Sequence, residues 1–130
     1  MEIKDKNNKI LAIIIKGKTI PEGKNFLTEN EAEFQLASFN LDSDTEIIRH
    51  IHPNQKRNIN TTTETLVVIE GMIKVDIYDE NLDFIASETL EAGDTVSLIR
   101  GGHGLEVINS CKFVEIKQGP YIEEIDKKTF

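Results

Sequence analysis

The chain has 130 residues, enough for one hydrophobic core and too few for two ordinary ones. Its 38% hydrophobic and 29% charged residues are those of a globular protein. A formal net charge of −8 argues against gripping nucleic acid by its phosphates, which takes a basic face; the best basic cluster is only Lys56-Arg57.

The first nine residues are polar and read as a loose N-terminus. Ile10 to Ile15 is the longest apolar run, bounded by Lys16-Gly17, and its isoleucines favour a strand. It is too short to span a bilayer and lacks the flanks of a signal peptide, so the expectation is a cytoplasmic protein with no membrane partner. Pro21-Glu22-Gly23 marks a turn. Thr28-Glu29-Asn30-Glu31 has the form of a capping box, with room behind it for a turn or two of helix.

From Glu33 the signal is β. Phe34, Leu36 and Ser38 alternate with Gln35, Ala37 and Phe39, and Asp42-Ser43-Asp44 turns the chain into a strand over Thr45 to His52. A polar stretch, Asn54 to Thr63, follows. Strands are then expected over Thr65 to Ile69, Ile73 to Tyr78, Phe84 to Leu90, Thr95 to Ile99, Leu105 to Ile108 and Phe113 to Lys117, with turns at Gly71 and Asp79-Glu80-Asn81. Many short strands with spaced turn signals indicate an all-β sandwich or barrel. The one cysteine, Cys111, excludes an internal disulfide and a cysteine-based zinc site, and reads as an inert thiol among strand residues.

The chemistry-bearing residues are few. The chain has three histidines, His50, His52 and His103. On a strand, positions i and i+2 share a face ~6.5–7 Å apart, so His50 and His52 are spaced to lean onto one ion. Glu64 begins the next strand, and His103 stands far off in Gly101-Gly102-His103-Gly104, where flanking glycines let the backbone approach a crowded site. Three imidazoles and a carboxylate suit a divalent transition metal: Mn, Fe, Ni, Cu or Zn.

These residues resemble the motifs of the cupin superfamily. His50-x-His52, then Glu64, then Gly71 after six intervening residues matches its first motif. The departure is the inserted segment Pro53 to Thr63. Gly93-Asp94 and the closing Ile99-Arg100-Gly101-Gly102-His103 match the second, with Ile99 in place of the usual proline. The resemblance spans Thr45 to Val107. Val75-Asp76-Ile77-Tyr78-Asp79, the Gly-Gly-His-Gly turn and Glu115-Ile116-Lys117-Gln118-Gly119-Pro120-Tyr121 are similar to a subgroup of small bacterial cupins often associated with surface-polysaccharide biosynthesis.

The resemblance implies a single cupin domain over residues 1–130, a jelly-roll-like double-stranded β-helix barrel over about 33–118, with His50, His52, Glu64 and His103 as metal ligands. It also implies a small-molecule ligand, in a sugar-related context. The implied chemistry is isomerisation or epimerisation of a keto-sugar, hydrolysis, or oxygen activation on iron. Two alternatives stand beside it: a non-catalytic cupin that binds or senses a metabolite, and a metal-free sugar isomerase in which a histidine is the general base. Arg57 is a candidate for binding an anionic group such as a phosphate, and Lys117 and Tyr121 are candidates for substrate contacts at the barrel mouth. An open sheet edge leads us to expect a homodimer.

Overall fold

The computed structural model describes all 130 residues. Eight strands carry the fold: β1 (Glu2–Lys4), β2 (Ile10–Ile15), β3 (Gly23–Phe26), β4 (Ala37–Asn40), β5 (Glu64–Tyr78), β6 (Phe84–Glu91), β7 (Thr95–Leu98) and β8 (Gly102–Lys117). The one helical element is a 3-10 turn at Gly17–Thr19. No helix is long and apolar enough to cross a membrane.

Every pairing is antiparallel. The main sheet runs β1-β2-β7-β5-β6, with β8 also paired to β5, and β3-β4 form a separate two-stranded sheet. β2 holds four consecutive buried residues, Leu11 to Ile14, because it is covered on both faces. The path of strands ends at β1 and β6 and does not close into a barrel.

β5 decides the shape. Its core residues switch parity, from Leu66 and Val68 to Ile73, Val75 and Ile77. The switch falls where the register with β8 shifts three times between Val68 and Ile73. Gly71, inside that stretch, has a φ of +80°, and a Cβ there would collide with the Ser110 carbonyl of β8. Glu64 and Ile77 are thirteen residues apart on this strand, ~43 Å if it ran straight. Yet the carboxylate of Glu64 lies 3.8 Å from the imidazole of His103, the residue that pairs with Ile77. The β5–β8 ribbon is therefore doubled over at its bulges, and its two halves belong to facing layers. Leu66, Val68, Ile73, Val75 and Ile77 close on Leu11, Ile14, Leu90, Val96 and Leu98 in one core.

Several expectations change at this level. The first residues are not loose: Glu2–Lys4 pairs with β2, the Met1 ammonium donates to the Ile14 carbonyl at 2.7 Å, and Ile3 packs on the core. An apolar strand leaves an edge of unmet backbone groups, and the N-terminus satisfies it. The capping box forms no helix. Thr28 Oγ1 accepts from the Leu36 amide across the loop (3.0 Å), which occupies the hydroxyl that would have capped. Only Ala37–Asn40 of the alternating stretch from Glu33 becomes a strand. Thr45 to His52 is not a strand at all, and residues 45–60 carry no regular structure. The strands expected at Thr65 to Ile69 and Ile73 to Tyr78 are one, as are those at Leu105 to Ile108 and Phe113 to Lys117.

Candidate functional site

Glu64 is the first residue of β5, flanked by Leu98 of β7 on one side and Lys117 of β8 on the other. His103 is the second residue of β8, delivered by the turn that follows β7. Gly101 makes that turn possible: its φ is +77°, and a Cβ on it would strike the Tyr78 carbonyl. The doubled ribbon then sets the two side chains together, Glu64 Oε1 to His103 Nε2 at 3.8 Å, with 17% and 31% of each side chain exposed.

They sit in the wall of a cavity of about 710 Å³, within the range of small-molecule sites. Thr62, Tyr78, Leu98, Arg100 and Glu115 line it too, and the C-terminal residues Asp126 to Phe130 complete the wall.

Burial, reinforced by the Glu115 carboxylate, pushes the Glu64 carboxyl above its usual range, against the pull of Lys117 and, more weakly, Lys127. Burial likewise lowers the His103 pKa, with Glu115 opposing. Both shifts disfavour charge. Both therefore work against an ion pair across this contact: the imidazole is pushed toward its neutral, proton-accepting form, and the carboxyl holds its proton more tightly than usual.

Lys117 lines the cavity but its ammonium is engaged, 2.9 Å from Asp126 Oδ2 and 3.6 Å from Glu115 Oε1. The hydrogen bond to Asp126 raises its pKa against burial, so it is a fixed cation and not a base. Tyr121 lies beneath that ammonium, its ring centroid 5.1 Å away, and does not line the cavity.

His50 and His52 are elsewhere. They lie in the exposed segment without regular structure, ring centroids 5.1 Å apart and edge to face. His50 Nδ1 is 2.9 Å from the Ile48 carbonyl. Neither ring lines the Glu64–His103 cavity, nor does Arg57 of the same segment. The four residues expected around an ion thus stand as two pairs. No three His, Cys, Asp or Glu side chains are grouped to hold a metal ion. As placed, the set does not fit a four-ligand centre, and no chemical step is derived through one.

Sequence reasoning missed Arg100, Glu115 and the C-terminal wall. Arg100 was accessible, since it immediately precedes the Gly101-Gly102 turn that delivers His103. The tail carries no such signal: its place depends on a seat made by residues remote in sequence. No protein family, no curated protein and no solved structure matches this chain.

Proposed function

We propose that this chain is a small cupin-like protein that binds a small polar molecule, of sugar or sugar-nucleotide type, in the Glu64–His103 cavity and isomerises or epimerises it. The observation that carries the reading is the meeting of Glu64 and His103 from remote positions in the chain, half-buried in one cavity and both shifted toward neutrality. His103 Nε2 takes the proton from the carbon next to the ligand's carbonyl. The Glu64 carboxyl donates to the carbonyl oxygen, giving an enediol; His103 then returns its proton to the former carbonyl carbon while Glu64 takes back a proton from the neighbouring hydroxyl, which becomes the new carbonyl. Epimerisation follows the same first step, with the carbon reprotonated from the opposite face by a solvent-derived proton.

A second reading gives the site a divalent transition metal. One observation bears on it: His50 Nδ1 donates to the Ile48 carbonyl, which leaves Nε2 free to ligate. On this reading His50 and His52 leave their exposed segment to join Glu64 and His103 as ligands. A ligand-binding protein without turnover is the third reading.

One experiment separates them. Keto-sugars and sugar nucleotides are incubated with the protein in deuterium oxide, and deuterium uptake beside the carbonyl is followed by NMR. The acid–base reading expects uptake that persists in chelator and falls at least ~100-fold in His103→Ala. Uptake abolished by chelator and restored by one metal ion would establish the second reading. Binding without uptake would leave the third, and uptake unchanged in His103→Ala would remove the site itself.

We also propose that a second copy of the chain pairs along β8. That strand is bonded only to β5, and Leu105, Val107, Ile108, Phe113, Val114 and Ile116 all stand exposed on it.

A further inference from the structure

Three cations that line the Glu64–His103 cavity have no ion-pair partner: Arg100, Lys127 and Lys128. Lys117, on the same wall, is paired with Asp126 and Glu115. The chain has a net charge of −8, so partners for these cations were not scarce. Like charges held together at a concave surface repel one another unless an anion enters between them.

Two of the three arrive on the C-terminal segment, and that segment is seated. The Phe130 ring packs edge to face on Tyr78, centroids 5.1 Å apart. It also lies over Gly102, where a Cβ would come within 2.7 Å of the ring. Any other residue at 102 would displace it. The Lys117–Asp126 ion pair, 2.9 Å, fixes the segment a second time immediately before Lys127.

We propose that the cavity takes a small molecule bearing a phosphate or diphosphate, held by Arg100, Lys127 and Lys128, with the C-terminal segment as the wall that brings two of those contacts. This rests on the reading of the cavity as a ligand site and names what the ligand must carry. Arg100 offers the planar fork that grips phosphate oxygens in pairs, and the two lysines supply point charges. The phosphate sits with these three cations, and the uncharged end of the ligand reaches Glu64 and His103 in the same wall.

The test is calorimetric titration of the protein with inorganic pyrophosphate. The parent binds one equivalent. Arg100→Ala and the double variant Lys127→Ala/Lys128→Ala each weaken binding at least tenfold, and Lys24→Ala, an exposed cation away from the cavity, leaves it unchanged. Phe130→Ala, checked for folding by circular dichroism, weakens binding as the double lysine variant does. Absence of pyrophosphate binding by the parent, or equal weakening by Lys24→Ala, overturns the proposal; parent-like binding by Phe130→Ala overturns the role of the seated tail. Deuterium uptake from uncharged keto-sugars with no competition by pyrophosphate would remove the phosphate site and spare the acid–base reading. Pyrophosphate binding without uptake from any sugar would do the reverse.

Discussion

Glu64 stands where a carboxylate is disfavoured, and that has a consequence for stability. Its folded pKa is raised by burial and by Glu115. Between its ordinary value and the raised one, the folded state holds more proton than the unfolded state, so stability falls as pH rises through that window. Above the window the full cost of a buried charge is present. Glu64→Gln removes that cost. The variant should melt a few degrees above the parent at pH 9, well past the window, the gain shrinking to nothing below pH ~4. Calorimetric melting at the two pH values checks this, and a Glu64→Gln variant that melts lower than the parent at pH 9 would contradict it. His103 has the opposite sign. Its folded pKa is depressed, so its contribution is lost as pH drops below the ordinary imidazole value.

At this scale the sequence was half informative. Glu64 and His103 were legible because each is tied to a glycine whose backbone the fold requires, Gly71 and Gly101. His50 and His52 were expected to share a strand face, and spacing alone cannot supply the neighbouring strand that would make it one. β5 already has β7 and β8 beside its first half, and β6 and β8 beside its second. No edge there was left for residues 45–52.

Among the elements, the turn between β6 and β7 is the best anchored. Asp94 is 2% exposed and accepts from Lys16 Nζ (2.9 Å), the Gly17 amide (3.0 Å) and the Glu91 amide (3.1 Å). Burial alone would raise its pKa, but these hydrogen bonds prevail and lower it. The carboxylate thus fastens the end of β2 to the β6–β7 turn. Asp94→Ala strands two amides and an ammonium, and should cost about 2–3 kcal/mol, read as a shift in the urea midpoint at pH 7. The parent's advantage should fade as pH falls below the ordinary Asp value, because the folded pKa is depressed. A variant as stable as the parent would show the clasp to be dispensable. The strands around this clasp were legible almost residue by residue: Ile10–Ile15 as expected, Phe84–Glu91 and Thr95–Leu98 within one residue. Each is an apolar run closed by a turn residue. The long strands were not, because Gly71 and Ser110 look like turns in the sequence and act as bulges, where the partner strand keeps the chain extended.

For the molecule as a whole, an unshared edge dominates. β8 is 16 residues long, its outer backbone groups have no strand beside them, and its apolar side chains are in water. Such an edge invites strand addition. A second copy offers the same edge in reverse, and an isologous pairing uses up the β8 edge of both copies. Sedimentation should show a dimer at micromolar concentration, and Val107→Lys should shift it to monomer while leaving the circular dichroism spectrum unchanged. A parent that sediments as a monomer at all concentrations would exclude the pairing. The architecture that stands is all-β, as expected from the spacing of strands and turns, and the structure adds that every pairing is antiparallel. The closure into a barrel was not something periodicity reports, since alternation records which residues face inward and not whether the first and last strands meet.

The doubled ribbon also sets the width of the cavity from a distance. Glu64 and His103 sit at opposite ends of one strand pair that bends near Gly71 and Ser110, each arm some ~23 Å long at ordinary strand rise. Over that length a difference of about 5° in the bend corresponds to roughly 2 Å at the tips, where the short turn from Leu98, beside Glu64, to His103 holds the two ends together. A side chain at position 71, which would strike the Ser110 carbonyl, therefore bears on the spacing of Glu64 and His103 far from the bend.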